Sequence, residues 1–309
     1  MWPGCASGSP PGREADAPTL TSPSAADAYL AILRGAGQPS TRRTYGRILR
    51  WIVTEFGGDT PPDIDPERFA AWFAAQWADR SPSTWNVSLD AIRSAAAWWM
   101  QRGWITADPS RMLKRRTPRP DRTRALSRAE VEQLLTRQDI SLRERTFWRM
   151  AYETAARSAE MLALNMEDLD LPNRRAKVRR KGGAVDWIIW QTGTARLLPR
   201  LLKGRMSGPV FVTERKARVQ LPAADLEEHG HARLSYQQAA ALFSEASGGA
   251  TLHQLRHSAL THDAEDGTGT PMLMARSGHT SVRSLAKYAR VSAEALARHQ
   301  AQRDPARRR

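Results

Sequence analysis

Leu169-Asp-Leu171, Arg175-Ala-Lys-Val-Arg-Arg180 and Val185-Asp-Trp-Ile-Ile-Trp190 mark the stretch where this chain leaves a pattern that is otherwise helical. The second and third runs meet at Lys181-Gly182-Gly183, a tight-turn signal between segments of strand length. They are expected to form short strands of one small antiparallel sheet. Just upstream, Ser127…Glu130 and Ser141…Glu144 each read as a capping box opening a helix. Downstream, helical signals resume at Ser235 and run to the end, broken by Gly-rich turns at 248–249, 267–269 and 278. The second half of the chain is therefore expected to be α-rich around a single small sheet.

Residues 25–110 read as helices throughout. Ser40 is placed to cap a helix whose apolar residues Tyr45, Ile48, Leu49, Ile52, Val53 and Phe56 share one stripe. Asp65-Pro66 and Ser81-Pro82 each set an N-cap residue before a first-turn proline. Phe69, Trp72, Phe73 and Trp77 follow the first, and Trp85, Leu89, Ile92, Ala96 and Trp99 follow the second, with Gly103 as the stop. Adding a shorter helix around 25–34 predicts a four-helix domain. Tryptophans at this spacing read as core rather than as base-stacking platforms. Arg42, Arg43, Arg47, Arg50 and Arg93 fall between the stripes, where they can face a polyanion.

Charge is distributed unevenly. The 309 residues carry 47 Lys plus Arg against 32 Asp plus Glu, a formal +15. Residues 1–110 hold 10 basic and 11 acidic side chains, so the whole surplus lies beyond them. It begins at Arg111-Met-Leu-Lys-Arg-Arg-Thr-Pro-Arg-Pro-Asp-Arg-Thr-Arg124, whose two prolines oppose a helix. Residues 111–124 are read as an extended basic linker lying on phosphates, with Arg115 and Arg116 as candidate contacts; a solvated surface run is the plainer alternative. Such a surplus points to nucleic acid or an anionic membrane surface. No window approaches the roughly 18 apolar residues of a bilayer span, and no long basic amphipathic helix suits a membrane surface. Residues 1–24 read as a disordered tail without the apolar run of a signal peptide. The lone Cys5 makes neither an intrachain disulfide nor a cysteine zinc cluster, which fits a reducing cytoplasm.

Several short constellations carry possible chemistry. Arg157 sits in Ala155-Ala-Arg-Ser-Ala-Glu-Met-Leu162, flanked by small and apolar residues. Partial burial there requires an anionic partner, and Glu160 is placed to orient it; a structural ion pair is the alternative reading. Lys181 stands at the hairpin tip. His253 and Arg256 lie one helical turn apart, on one face. Gly278-His279 precedes Tyr288 by a turn and a helix. His253 and His257 have the i, i+4 spacing of a zinc pair, with His262 beyond, but no Glu follows the first His and Arg256 between them repels a cation. No metal site is expected, and no phosphate loop or acidic two-metal cluster appears.

In chain order the set runs Arg157, Lys181, His253-x-x-Arg256, His279, Tyr288. Over residues 25 to about 290 this ordered set resembles the tyrosine recombinase (phage integrase) family. Ala156-Arg157-Ser158-Ala159-Glu160-Met161 matches the family's first box, and Lys181-Gly182 its hairpin lysine. His253-Gln-Leu-Arg-His-Ser258 matches the second box, and Gly278-His279 through Tyr288 the third. Ser277 stands where the family mostly has Leu, and Asp186 replaces a frequent basic residue. The resemblance implies a mostly α chain: a four-helix core-binding (SAM-like) domain at 25–110, a catalytic domain at 125–290 and a tail at 291–309.

It also implies a reaction, cutting and rejoining DNA at specific sites through a 3′-phosphotyrosyl intermediate without a cofactor. Cleaving a phosphodiester without metal ions requires fixed cations around a doubly negative transition state. Arg157 and Arg256 offer planar forks for the non-bridging oxygens, and His279 a further donor. A free phenol titrates near 10, so a nucleophilic Tyr288 needs a base, for which His253 is the candidate. Lys181 is the family's general acid for the leaving 5′-oxygen. The implied partner is double-stranded DNA, bound by a homo-oligomer, a tetramer on paired sites, in the cytoplasm and on the nucleoid. Two alternatives share the fold: a type IB topoisomerase-like enzyme relaxing DNA, and a catalytically idle DNA-binding regulator. Residues 291–309 read as a short helix with a small apolar stripe, docking on a neighbouring protomer or lying as a basic tail on phosphates.

Overall fold

The computed structural model describes residues 22–35, 39–57, 64–117, 125–180, 183–279, 281–285, 288, 296–297 and 300–301. Most of the predicted disordered tail, Lys181 at the hairpin tip, residues 118–124 and nearly all of 291–309 lie outside the described residues. The chain divides into two compact units, Met1–Pro120 and Asp121–Arg309. No helix among the described residues is long and apolar enough to cross a membrane.

The first unit contains α1 (Ser22–Gly35), α2 (Pro39–Phe56), α3 (Pro66–Trp77) and α4 (Pro82–Gln101). Helix α3 opens as its sequence dictates: Asp65 accepts the Arg68 N–H at 2.7 Å, and Pro66 fills the first turn. Ser81 and Pro82 do the same for α4, the Thr84 N–H reaching Ser81 Oγ at 3.2 Å. Helix α2 starts at Pro39, one residue ahead of the expected Ser40 cap, because proline's fixed φ suits a first turn. The tryptophans of the α3 and α4 stripes lie in the core or pack against it. Trp77, Trp85 and Trp99 are buried, and Phe73 stacks on Trp77 with centroids 4.5 Å apart. Trp99 Nε1 donates to Ala25 O at 3.0 Å, so an indole polar edge ties α4 to α1.

The start of the predicted linker needs correction. Leu113 is buried in the first unit's core, Trp85 Nε1 donates to Lys114 O at 2.9 Å, and Arg93 Nη2 donates to Leu113 O at 2.7 Å. Asn86 both donates to Arg116 O at 2.7 Å and accepts the Arg116 N–H at 2.8 Å, pairing like a strand neighbour. Residues 113–116 are thus extended, as two nearby prolines favour, but strapped along α4.

In the second unit, α5 (Arg128–Thr136) carries the predicted capping box, with the Glu130 N–H on Ser127 Oγ at 3.2 Å and the Ser127 N–H on Glu130 Oε2 at 2.6 Å. The second expected box does not form. Ser141 precedes α6 (Leu142–Thr154) without a capping hydrogen bond, because the buried Arg143 claims Glu144 instead, Nε to Oε1 at 2.7 Å. A single turn of helix, α7 (Ser158–Leu162), leads into β1 (Leu169–Asp170), β2 (Arg175–Arg179) and β3 (Val185–Ile189), an antiparallel sheet in that order. Ala176, Val178 and Ile188 face the core while Lys177, Arg179, Val185, Trp187 and Ile189 face out, the two-residue period of a one-sided sheet.

A second sheet was not expected. After α8 (Thr192–Leu202), β4 (Val212–Lys216) pairs antiparallel with β5 (His231–Arg233). Neither has apolar alternation; the pairing is secured by side chains such as Arg233, whose Nη1 donates to Leu162 O at 3.0 Å. Then come α9 (Tyr236–Ala246), α10 (Leu252–Glu265), α11 (Thr270–Ser277) and α12 (Val282–Leu285). Phe147, Trp148, Phe211 and Phe243 form the middle of the main core, Phe147 edge-on to Phe211 and Trp148 edge-on to Phe243.

Candidate active site

Helix α6 stops at Thr154 because Ala155 turns left-handed, at φ 50°. That turn exposes the Ala155 carbonyl to α10, where Arg256 Nη1 takes it. Two residues on, Arg157 caps α7 in extended backbone. Glu160 holds it at both ends: Oε1 accepts from Arg157 Nη1 at 2.7 Å, and Oε2 accepts the Arg157 backbone N–H at 3.1 Å. The carboxylate is buried whereas the Arg157 side chain is 38 % exposed, so the guanidinium is braced from behind and open in front.

Sequence reading missed Arg180. Its side chain is only 8 % exposed and donates through Nη1 to Glu160 Oε2 at 3.0 Å and through Nε to Asp186 Oδ2 at 3.2 Å. Asp186, noted above as a departure from the family pattern, is therefore the second anion of this arginine. The signal lay in the sequence as a basic–acidic pair flanking the hairpin turn. Arg180 also lies against Gly278: a Cβ there would meet the guanidinium carbon at 2.5 Å, so only glycine fits. The backbone closes just beyond, the Arg180 N–H bonding to Ala184 O at 2.7 Å. One buried cation thus ties the base of the hairpin that carries Lys181 to the first box and to the α11 terminus.

Helix α10 is capped by Thr251, which accepts the Gln254 N–H at 3.1 Å. Leu252, Leu255, Ala259 and Leu260 turn into the core, and Arg256 is buried among them. Its other partner is Ser277 O, at 2.6 Å from Nη2. Burial first, and the nearby Arg157 charge second, lower its pKa to about 10. Arg256 remains a cation at neutral pH, held by carbonyl dipoles in a site that favours an anion. Tyr288, Glu160 and Arg180 all lie within electrostatic reach of it.

Helix α11 ends at Ser277, and Gly278 follows in left-handed backbone at φ 61°. The turn brings His279 back over the helix end, its Nδ1 at 2.8 Å from the Ser277 hydroxyl. Tyr288 is buried against Ala155, Ala259, Leu260, Leu273 and Leu285. Two imidazoles approach its ring, His279 at 5.9 Å and His257 at 5.1 Å between centroids. His257, part of the zinc-like pair and of the second box, lies beside the phenol, one residue from Arg256. His253 lies on the exposed side of the same helix. His262 is occupied elsewhere, its Nδ1 at 2.7 Å from the Tyr152 hydroxyl. Elsewhere in the unit, Glu227, Glu228 and His229 bring ligand atoms within 4.8 Å of one another in the turn before β5, where Glu227 accepts the His231 N–H.

The remaining predicted contacts belong to the first unit. Arg43 and Arg47 are exposed on α2, and Arg42 is half-buried. Arg115 pairs with Asp90. Arg116 stacks over Trp85 at 3.7 Å and donates to Ala78 O at 2.7 Å, which commits much of its fork to the protein.

Comparison with known proteins gives the chain relatives. The chain is 29 % identical to tyrosine recombinase XerC of Mycobacterium sp. (strain KMS) over 291 residues, covering 87 % of this chain and 94 % of that protein. It is 28 % identical to tyrosine recombinase XerC of Mycobacterium leprae (strain TN) over 290 residues, with the same coverage. Among solved structures, a lambda integrase dimer bound to a core site aligns with a TM-score of 0.68 at 16 % identity, over 87 % of this chain and 95 % of that one. The Tn1549 transposon integrase in complex with circular-intermediate DNA aligns at 0.64 and 16 % identity, over 91 % and 99 %. At such identities the structural likeness speaks for the fold alone. The model of the phage integrase family matches residues 124–295. With that match spanning more than half its length, the chain belongs to the phage integrase family, the tyrosine recombinases.

Proposed function

We propose that this site-specific DNA recombinase cuts and rejoins DNA through a 3′-phosphotyrosyl bond to Tyr288, with Arg157, Arg256 and His279 around the scissile phosphate. One observation carries the reading: Arg256 is a buried cation hydrogen-bonded to carbonyl oxygens, and the Glu160 charge that acts on it is shared with Arg157 and Arg180; with Asp186 on Arg180, three arginines meet two carboxylates, which leaves a surplus of positive charge beside the tyrosine. A phosphodiester supplies the missing anion. As the phenolic oxygen attacks phosphorus, the non-bridging oxygens gain charge, and two guanidinium forks fixed in advance stabilise it without reorganising. The 5′-oxygen leaves with a proton, a role assigned to Lys181 on the hairpin that Arg180 anchors. His253 remains the proposed base, and His257 approaches the phenol ring at 5.1 Å between centroids. Rejoining runs the same steps backwards from a new 5′-hydroxyl, conserving the phosphoester.

Double-stranded DNA is the partner, and the proposed working form is a tetramer on paired sites, acting in the cytoplasm and on the nucleoid. Arg42, Arg43, Arg47 and Arg115 are the proposed contacts of the first unit; Arg116 serves mainly to fasten the strap. Tyr288→Phe tests the reading directly. Incubated with site-bearing labelled DNA and run on a denaturing gel, the wild type forms a covalent adduct and the Phe variant forms none while still shifting DNA on a native gel. An adduct surviving in the variant overturns the assignment. Relaxation of supercoils without exchange between two sites would instead favour the topoisomerase-like alternative.

A further inference from the structure

We propose that Ser277 is a positioning residue that sets the tautomer of His279, so that the neutral imidazole presents an Nε2–H to the phosphate. The proposal rests on the reading of His279 as a phosphate donor and adds to it the group that makes it one. Ser277 is fully buried at the last position of α11. Its oxygen has three neighbours: His279 Nδ1 at 2.8 Å, the His279 backbone N–H at 3.3 Å and Met274 O at 3.3 Å. The hydroxyl has one proton to place. Met274 O already accepts the Gly278 N–H at 2.8 Å and lies beyond the usual O–H···O distance of about 2.7–2.8 Å. The His279 N–H approaches as a donor and claims a lone pair. The proton therefore goes to Nδ1, the one short contact. With Nδ1 accepting, the ring's own proton must sit on Nε2.

The consequence follows from what a phosphate oxygen needs. An imidazole with its proton on Nδ1 turns a lone pair toward the anion and repels it, and only the Nε2–H form donates. The same residue's carbonyl holds Arg256 Nη2, so Ser277 orders two phosphate-facing groups through two different atoms. A leucine, the residue the family pattern favours here, retains the carbonyl contact and lacks the hydroxyl. Hence the departure is not a packing defect: the fully buried hydroxyl is satisfied on every side.

The test uses the full chain with its histidines labelled with nitrogen-15, His279 being assigned by its loss in His279→Gln. Long-range proton–nitrogen spectra, taken where the ring is neutral, report which nitrogen bears the proton independently of activity. The expected result is Nε2–H in the wild type, a mixture or Nδ1–H in Ser277→Ala, and recovery in Ser277→Thr. Cleavage should slow roughly tenfold in the Ala variant, short of the ~10²-fold or more for removing a transition-state donor outright. An Nδ1–H wild type, or a tautomer unmoved by Ser277→Ala, overturns the proposal whether or not the Thr variant folds. If the tautomer moves as expected but His279→Ala cleaves at the wild-type rate, tautomer control stands and the reading of His279 as a phosphate donor fails.

Discussion

The two units of this chain bury different things. In the first, the buried polar residues among those described are Asn86, Ser88 and Ser110, while phenylalanine and tryptophan rings fill the centre. In the second, Arg143, Glu144, Glu153, Glu160, Arg256, His257 and His262 are all buried. Burying a charge is costly unless it is paired, so each needs a local explanation. Arg143 has Glu144, Glu153 accepts the Gln191 and Thr194 N–H groups at the start of α8, and Glu160 has two arginines. Arg256 differs, since carbonyl oxygens are its hydrogen-bond partners. Its pKa, lowered to about 10, means that burial disfavours the charge by something on the order of a few kcal/mol at neutral pH. That cost holds at all pH below about 10 and is relieved as the pH rises through it, because folding then favours the neutral form. The first unit is built for stability and the second tolerates a destabilising cation at the proposed phosphate site.

The contrast breaks most readily at its stable end. Trp99→Ala should cost ~3–5 kcal/mol of the first unit's stability, read by denaturant unfolding with tryptophan fluorescence. Arg256→Met should do the opposite kind of damage. Cleavage falls by ~10²–10³ or more, yet thermal stability barely moves, because the desolvation removed offsets the two carbonyls left without a donor. An Arg256→Met protein that unfolds would show that the arginine is structural and would collapse the distinction between the units.

A smaller effect is expected at Arg180. Arg180→Ala unties the hairpin base from Glu160 and Gly278, and misplacing a catalytic group by about 1 Å costs up to ~10²-fold. Because Lys181 is the adjoining residue, DNA with sulfur at the bridging 5′ position should restore most of the rate. Arg157→Ala should show no such rescue, since the role proposed for it is on the non-bridging oxygens. Failure of sulfur to rescue Arg180→Ala, as expected for Arg157→Ala, would place Arg180 among the phosphate ligands instead.

The mildest test is pH. All seven histidines follow residue 228, so the first unit has none. Burial foremost lowers the pKa of His262 below 6.5. As the pH falls through 6.5 the unfolded chain takes up a proton that the folded unit resists, so this site destabilises the second unit by up to ~1.4 kcal/mol per pH unit. Melting followed separately in the two units should show the second sagging on acidification, with His262→Asn reducing the slope.

Sequence alone determined the helices with apolar stripes and explicit caps, Asp65-Pro66 and Ser81-Pro82 above all, because stripe period and capping are local properties of consecutive residues. The hairpin was legible for the same reason, as were the arginine, histidine and tyrosine motifs, whose order along the chain survives any folding. What tertiary structure decided was every relation between distant segments. The strand pair of 212–216 and 231–233 has no apolar alternation to announce it and exists through side-chain bonds to other segments. The strap at 113–116 looked like a linker because its charge is local, while the α4 side chains that capture it are about 30 residues away. Glu144 completed a capping-box pattern that the burial of Arg143 overrode. In the site, no spacing rule connects Arg180 to Glu160 and Gly278, His257 to Tyr288, or Ser277 to both Arg256 and His279. Those contacts depend on burial, where a charge or hydroxyl cut off from water must find whichever partner the packing brings near.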